Sequence, residues 1–298
     1  MNETDLIDRL RPLAGPGGLD LRDDAALLTV APGQQLVMST DTMVEGVHFP
    51  RGRIGGGFSE RLLRTALSDL AAKAARPVGY TLNVTWPRDR DARWLDGFVR
   101  GLSDAQSAFD CPLLGGDTTS SDGPLVASAN VFGVVPEGCM VLRSGACAGD
   151  LLIHSGVLGR AEQGLRIVQG DTVDLSPEEF RLCEEAYLRP EPRFSLRRLL
   201  RDHATAAADI SDGLLSEAGH IARASGVRID VDARAARGAS FGDDYEILFT
   251  APEAGWAEMQ TMAHAVGIPL AVCGRVSAGE GVWVDGAPAQ GAGFRHEL

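Results

Sequence analysis

Apolar runs that end in acidic residues constrain this chain more than any other feature. The run 36–38, Leu-Val-Met, passes directly into Ser-Thr-Asp-Thr at 39–42, and His48 follows Asp41 by seven residues. A short apolar run bounded by polar residues is typical of a buried strand, and polar groups at a strand end can reach a cleft from a rigid scaffold. We therefore expect a buried strand with a polar cluster at its end, where the other acidic motifs converge.

Further acidic motifs repeat this design along the chain. Gly115 and Gly116 follow an apolar run and lead into Asp117. Asp209 and Asp212 lie between a small apolar run and a predicted helix. Each motif alone also fits an ordinary role, such as a turn or a helix N-cap. The candidates considered together are Asp23, Asp24, Asp41, Asp69, Asp117, Asp209, Asp212, Asp243 and Asp244.

Asp69 joins this set because of its position on a predicted helix, residues 59–75. It follows Leu62 by seven residues, which places it about 20° from Leu62 around a 3.6-residue helix, beside the apolar stripe. A carboxylate there is costly unless it is paired or bound to a cation. A capping or edge role stays open, and a metal ligand is an equal alternative.

Several aspartates in one cleft require cations, because their mutual repulsion would otherwise be severe. Oxygen ligands without cysteine favour hard ions such as Mg²⁺ or Mn²⁺, and Mg²⁺ sites commonly combine carboxylates with substrate phosphates. The pattern therefore predicts a metal–nucleotide site for phosphoryl transfer, in which protein groups mainly position the reactants. Metal-dependent hydrolysis would need similar ligands and stays an alternative.

Charge and cysteine usage narrow the class of protein. The formal net charge of −13 argues against non-specific binding to nucleic acid or to anionic membranes. The five cysteines contain no C-x-x-C pair, and the acidic start of the chain lacks the features of a signal peptide. No apolar run approaches membrane-spanning length. We expect a protein of the reducing cytoplasm.

Helix and strand patterns alternate in both halves of the chain. This alternation predicts an α/β (α+β) fold of two domains, residues 1–137 and 138–298. Helices are expected at 3–13, 59–75, 92–109, 176–187, 194–202, 213–225 and 256–266. Strands are expected at 36–38, 80–86, 125–135, 151–154, 230–232 and 270–272, after the acidic pairs at 23–24 and 243–244, and in a hairpin at 279–286.

Taken in order, these motifs resemble those of the thiamine-monophosphate kinase family, in the superfamily that also holds aminoimidazole-ribonucleotide synthetase and selenophosphate synthetase. The resemblance covers nearly the whole chain. The segment 39–49, Ser-Thr-Asp-Thr to His-Phe, points to this branch of the superfamily. The other motifs are Asp23-Asp24-Ala25-Ala26, Leu67-Ser68-Asp69-Leu70-Ala71-Ala72, Gly115-Gly116-Asp117-Thr118-Thr119, Arg143-Ser144-Gly145-Ala146, Asp209-Ile210-Ser211-Asp212-Gly213-Leu214 and Gly242-Asp243-Asp244-Tyr245-Glu246.

The resemblance implies a reaction and a set of roles. The family transfers the γ-phosphoryl group of ATP directly onto thiamine monophosphate with the help of Mg²⁺, giving thiamine diphosphate and ADP without a covalent enzyme intermediate. The Mg²⁺ ligands implied by motif are Asp24, Ser39, Thr40, Asp41, Asp69, Asp117, Asp209 and Asp212. The implied ATP contacts are Gly116, Asp117, Arg143 and Ser211, and the implied contacts to thiamine monophosphate are His48, Asp243 and Phe294.

The resemblance also implies a homodimer, in which strands of the two N-terminal domains form a shared barrel and ATP lies in the resulting cleft. The chain departs from the family pattern at Arg22, Ala66, Lys73-Ala74 and Phe241. Only eight residues separate Asp232 from Phe241, fewer than the family has on its thiamine-binding side. Two other hypotheses stay open: a relative that phosphorylates another small molecule with ATP, and a nucleotide-binding regulator without catalysis.

Overall fold

Two β-sheets organise the part of the chain that this computed structural model describes, residues 3–238 and 241–289. The strands of the first sheet are β1 Gln34–Val44, β2 Arg76–Pro87, β3 Leu113–Ser121 and β4 Val126–Pro136. Their order is β1-β4-β2-β3, with β4 antiparallel to β1 and β2, and β2 parallel to β3. The sheet is therefore open, with β1 and β3 at its edges.

The helices of the first half are α1 Glu3–Leu10, α2 Phe58–Ala72 and α3 Ala92–Phe109. The side chain of Asp91 accepts a hydrogen bond from the Trp94 N–H at 2.9 Å and so caps the start of α3. Asp110 ends α3 in the left-handed region, with φ of 49°. Local capping and an amphipathic pattern explain why α3 matches its predicted range of 92–109.

The second sheet has the strand order β11-β10-β7-β9-β5-β8-β6. Its strands are β5 Leu151–Ser155, β6 Ala206–Asp209, β7 Arg228–Val231, β8 Ile247–Ala251, β9 Leu270–Ser277, β10 Gly281–Val284 and β11 Ala287–Pro288. The helices of this half are α4 Arg160–Gln169, α5 Pro177–Leu188, α6 Arg197–His203, α7 Leu214–Ser225, α8 Ala233–Gly238 and α9 Trp256–Ala265. Across the described ranges, no helix combines the length and the apolar character that a membrane span needs.

Helix α2 lies where the two halves meet. Leu62 and Leu67 pack in the core of the first sheet. Ala71 and Ala72, at the end of the same helix, pack with Ile153 and other residues of the second sheet. A helix buried on several sides needs few polar positions, and Asp69 is one of the exceptions. The fold thus carries Asp69 to the junction of the two sheets.

Three local predictions are wrong. The apolar run after Asp24 forms no strand, because residues 25–28 lie in irregular backbone and Leu27 is exposed. The strand predicted at 36–38 is buried on one face only: β1 is an edge strand, Val37 lies in the core, and Met38 is 65% exposed. It also continues through the polar cluster to Val44, so the cluster lies within the strand. The segment after Asp232, where no helix is predicted, contains the short helix α8.

Candidate active site

An acidic cluster lies where β1, α2 and β6 meet. Successive side chains of a strand point to opposite faces, so Ser39 and Asp41 of β1 share a face. The Ser39 hydroxyl donates a hydrogen bond to Oδ2 of Asp69 on α2 at 2.5 Å. Asp209 is the last residue of β6, and 96% of its surface is buried. Three carboxylates from distant parts of the chain therefore lie together: Asp41 on β1, Asp69 on α2 and Asp209 on β6.

The segment after β6 extends this cluster. Asp212 precedes α7, and Glu217 and His220 lie three residues apart on that helix, so they share a face. One ligand atom from each of these three side chains lies within 4.8 Å of the others. The sequence analysis did not include Glu217 or His220, although both follow the Asp212 motif within eight residues.

Repulsion within the cluster favours protonation of its carboxyl groups. Burial, followed by the charges of Asp69 and Asp212, raises the pKa of Asp41 to about 7. Burial and the charges of Asp69, Glu217 and Asp41 raise the pKa of Asp209 well above its ordinary value. Burial raises the pKa of Glu217 to about 7 against the opposing effect of Arg143. Cations bound beside these groups would favour their ionised forms.

The cluster contains protein cations as well as carboxylates. Nη2 of Arg143 lies 3.7 Å from Oε2 of Glu217, and the Glu217 side chain is 1% exposed. That Oε2 atom accepts no hydrogen bond from the described residues. Arg143 is partly exposed, so its guanidinium can contact a ligand as well as Glu217.

A cleft of about 820 Å³ adjoins the cluster. Asp41 and Asp212 contribute to its wall, together with Ser211, His48 and Asp243. The aromatic and apolar wall comprises Met43, Val47, Phe49, Leu165, Tyr187, Phe241 and Tyr245. An apolar cavity with a few convergent polar groups is the usual form of a small-molecule site, and here one end of the cavity is acidic.

A buried arginine organises one side of the cleft. Arg61 of α2 is 1% exposed, and its Nη2 lies 2.8 Å from Oδ1 of Asp243. The guanidinium carbon lies 4.1 Å from the centroid of the Tyr187 ring, over its face. Arg61 also donates to the backbone oxygen of Tyr187. Asp243 is therefore held in place by a rigid, fully desolvated cation.

Two motifs of the second half are held together by backbone contacts. The N–H of Asp243 donates to the Ser211 oxygen at 2.7 Å, and that of Tyr245 donates to the Ile210 oxygen at 2.9 Å. Gly242 has φ of 102°, and a Cβ there would lie 2.3 Å from the Ser211 oxygen. Only glycine allows this approach, which fixes Asp243 relative to Ser211.

His48 enters the cleft from the loop after β1. Its Nδ1 accepts a hydrogen bond from the Val44 N–H at 3.0 Å, which requires that this nitrogen be unprotonated. The Tyr187 hydroxyl donates to the His48 backbone oxygen at 3.4 Å. These contacts orient the ring in the cleft.

Comparison with known proteins places the whole chain in a family. Family models for AIR synthase related proteins match residues 22–135 (N-terminal domain) and 148–285 (C-terminal domain). Thiamine-monophosphate kinase of Caulobacter vibrioides is 44% identical over 94% of this chain and 85% of its own length. The chain belongs to the thiamine-monophosphate kinase family. The resemblance seen in the sequence motifs is thus confirmed, and so is a mixed α/β fold of two domains.

Solved structures of this kinase family share the fold. The structure of thiamine-monophosphate kinase from Stenotrophomonas maltophilia superposes with a TM-score of 0.84 at 36% sequence identity. The match covers 97% of this chain and 98% of the other. AaThiL complexed with AMPPCP and TMP has a TM-score of 0.81 at 28% identity and covers 99% of this chain, with 97% of its own chain matched. The shortened segment before Phe241 therefore does not change the architecture.

Not every residue that the kinase-family motifs suggest lies at the acidic cluster. Asp24, Gly116 and Asp117 line a separate cavity of about 390 Å³ beside α1 and β3. Asp41 pairs with Ala129, Ala129 with Leu82 and Leu82 with Gly116 across the first sheet, so Asp41 and Gly116 are about 14 Å apart at ordinary strand spacing. Within one chain, the expected convergence of acidic motifs is split between two sites.

Three other candidates have different positions. Thr40 lines the cleft, but its hydroxyl donates to Oδ1 of Asn130 at 2.8 Å, on the opposite face of β1 from Asp41. Asp244 accepts from the Gly159 N–H at the start of α4, at 2.9 Å, and so lies outside the cluster. Phe294 is outside the described residues.

Sequence reasoning suggested Arg143 from its motif but missed Arg61. Arg61 follows Ser59 and Glu60 on α2, and nothing in its local pattern distinguishes it from an exposed arginine. Its ion pair with Asp243 joins residues far apart in the chain. One signal in the sequence could have identified Arg61: it is a charged residue beside the apolar stripe of α2. The same argument identified Asp69.

Proposed function

We propose that this chain transfers the γ-phosphoryl group of ATP to thiamine monophosphate and forms thiamine diphosphate and ADP. One observation carries the proposal: the acidic cluster and the cleft of His48 and Asp243 share Asp41 and Asp212. A phosphate-binding end thus adjoins a pocket of the size of a small molecule. The named activity of relatives such as the Caulobacter vibrioides kinase, and the binding of AMPPCP and TMP by AaThiL, support the same reaction.

The donor atoms of the cluster fit Mg²⁺. The residues that would hold it are Ser39, Asp41, Asp69, Asp209 and Asp212, all of which offer oxygen. Hard divalent ions prefer such ligands, and burial together with the charges of neighbouring carboxylates raises the pKa values of Asp41 and Asp209. When bound, Mg²⁺ would neutralise negative charge on the phosphates and their carboxylate ligands.

The protein's own groups position the two anionic reactants. Arg143 would contact the ATP phosphates, because its guanidinium is partly exposed beside Glu217. Asp243, held by Arg61, and His48 would orient the acceptor along the aromatic wall of the cleft. The acceptor is a phosphate that is largely ionised at neutral pH, so alignment of the two groups does most of the work and no strong general base is required.

We also propose that the protein is a cytoplasmic homodimer. The first sheet is open, and Leu36 and Met38 are exposed on its uncovered face. An uncovered sheet face with exposed apolar side chains is typical of an interface. Pairing of two such faces would bury these side chains and enclose the cavity of Asp24 and Asp117. Those residues would then join the nucleotide site in the assembly, as the family barrel implies.

A product assay tests the proposed reaction. The protein is incubated with Mg²⁺, ATP and thiamine monophosphate, and thiamine diphosphate and ADP are quantified by chromatography; equal amounts of both are expected. The matched reactions contain EDTA in place of Mg²⁺, or thiamine in place of its monophosphate. Bound ATP without any product would favour the regulator hypothesis. Turnover with another acceptor but none with thiamine monophosphate would favour a kinase of different specificity.

A further inference from the structure

Lys73 is the one lysine in this chain of 298 residues, whose other 27 basic residues among Lys and Arg are arginines. It directly follows α2, at the C-cap of that helix. The C-terminal end of a helix carries partial negative charge and favours a cation. The one lysine side chain of the sequence therefore lies at the end of the helix that carries Asp69.

The contacts of Lys73 direct this ammonium to the acidic cluster. Its Nζ donates to the Ala207 oxygen at 2.6 Å, two residues before Asp209 on β6. Its backbone N–H donates to the Asp69 backbone oxygen at 3.1 Å, the hydrogen bond of the last helical turn, so Lys73 lies one turn after Asp69. The charged groups that act on it are Arg143, Asp209, Asp69 and Glu217. An ammonium has three donors, and one of them makes this hydrogen bond to Ala207.

Lys73 does not line the cleft of His48 and Asp243. Its ammonium lies instead beside β6, hydrogen-bonded to the Ala207 oxygen at the C-terminal end of α2. Burial, followed by repulsion from Arg143, lowers the pKa of Lys73 to about 8, so the group is charged at neutral pH. A fixed cation in this position attracts the nearby carboxylates Asp69, Asp209 and Glu217, and it repels any further cation.

We propose that Lys73 is a positioning residue: a built-in counter-ion that holds Asp69, Asp209 and Glu217 together before metal binds. It thereby sets the Mg²⁺ concentration at which the site fills. This inference rests on the proposed function only in taking Asp69 and Asp209 as Mg²⁺ ligands. It also assigns a role to a residue that departs from the family pattern.

A Mg²⁺ titration of the thermal unfolding midpoint, without nucleotide, tests this role. Lys73→Met removes the charge and keeps the length of the side chain, while Lys73→Arg keeps the charge. Arg198→Met is the matched control, because Arg198 is 80% exposed on α6 and its loss changes net charge equally. Metal-free Lys73→Met should unfold at lower temperature than the wild type. Its half-saturating Mg²⁺ concentration should fall about fivefold, an effect expected of one nearby charge.

The outcomes separate a charge effect from a packing effect. Lys73→Arg and Arg198→Met should stay within about twofold of the wild type, since neither removes the charge from the cluster. An unchanged Mg²⁺ midpoint in Lys73→Met, or equal shifts in Lys73→Met and Lys73→Arg, would overturn the proposal. If Lys73→Met does not fold, Lys73→Gln takes its place with the same expected shift.

The same titration distinguishes this inference from the proposed reaction. If the Mg²⁺ midpoint shifts as expected but no thiamine diphosphate forms, the counter-ion role is supported and the proposed reaction is wrong. If thiamine diphosphate forms normally and the Mg²⁺ midpoint does not shift, the counter-ion role is wrong and the proposed reaction is supported. If Mg²⁺ stabilises none of the variants, both the ligand assignment and the counter-ion role are wrong.

Discussion

Buried charged side chains determine the local energetics of the candidate site. Removal of a charge from water is costly, and a buried group either finds an opposite charge or changes its protonation state. Arg61 takes the first course with Asp243. Asp41 and Asp209 take the second, because both are buried and both have Asp69 as an acidic neighbour. The two courses predict different responses to mutation and to pH.

The stability of the metal-free protein should decrease as pH rises from about 4 to about 7. The pKa of Asp41 is about 7 in the folded protein against 3.8 without the fold. Between these values the folded state binds more protons than the unfolded state, so the free energy of unfolding falls with increasing pH. One such group contributes up to about 1.4 kcal/mol per pH unit. Urea unfolding in EDTA at several pH values measures this slope.

Asp41→Asn should make that slope shallower, because the asparagine does not titrate. Asp122→Asn is the control, since the Asp122 side chain is 93% exposed. Equal slopes in the wild type and Asp41→Asn would contradict the origin assigned to the pH dependence. Saturating Mg²⁺ should reduce the wild-type slope, because bound cations lower the pKa values of the cluster.

Arg61→Met should destabilise the protein by about 3–5 kcal/mol, the usual result when one partner of a buried ion pair is removed. It leaves Asp243 without its cation and Tyr187 without the stacked guanidinium. Equilibrium urea unfolding checks the value. The double variant Arg61→Met/Asp243→Asn should recover part of the loss. Additive losses in that double-mutant cycle would show that the pair does not interact energetically.

At the scale of elements, strand pairing explains a glycine that the sequence analysis ascribed to ligand approach. A Cβ at Gly116 of β3 would lie 1.9 Å from the Leu82 oxygen of β2. A Cβ at Gly115, one residue earlier, would meet nothing within 4 Å. The glycine at 116 is thus required by the packing of two parallel strands, whatever ligand also approaches it.

Gly116→Ala should therefore separate β3 from β2 and destabilise the protein by about 1–3 kcal/mol, as overpacking commonly does. Gly115→Ala is the matched neighbour and should change the free energy of unfolding by less than about 0.5 kcal/mol, as expected where no contact is made. Chemical denaturation of both variants provides the comparison. Similar costs at the two positions would refute the packing explanation.

Elements with strong local signals could be predicted from the sequence, and those that depend on distant partners could not. The range of α3 follows from its amphipathic pattern and its Asp91 cap. The exposure of β1 depends on its position at a sheet edge, which its own residues do not encode. Likewise, the aspartates stood out as carboxylates near apolar runs, whereas Arg61 and Lys73 gain their roles from contacts with Asp243 and Ala207.

At the scale of the whole molecule, α2 joins the two sheets and places Asp69 between them. The acidic cluster draws on both halves of the chain, since Asp41 comes from the first sheet and Asp209 from the second. The cavity of Asp24 and Asp117 lies apart from it. A single chain therefore leaves part of the expected site at the open face of the first sheet.

Met38→Asp should convert the proposed dimer into a monomer. Met38 is exposed on the uncovered face of the edge strand β1, and a charge there would be desolvated in a dimer. Light scattering after size exclusion should give about twice 31.5 kDa for the wild type and 31.5 kDa for the variant. A monomeric wild type, or a variant that keeps the larger mass, would contradict pairing through this face.

Turnover of Asp41→Asn tests the central claim most directly, because Asp41 belongs to both the acidic cluster and the cleft. The wild type should form thiamine diphosphate and ADP in equal amounts from Mg²⁺, ATP and thiamine monophosphate. Asp41→Asn should lose at least about a hundredfold in turnover, the size expected when a charge-stabilising group is removed, and should keep its circular dichroism spectrum. Asp122→Asn should keep the wild-type rate. A near-normal rate in Asp41→Asn would contradict the account.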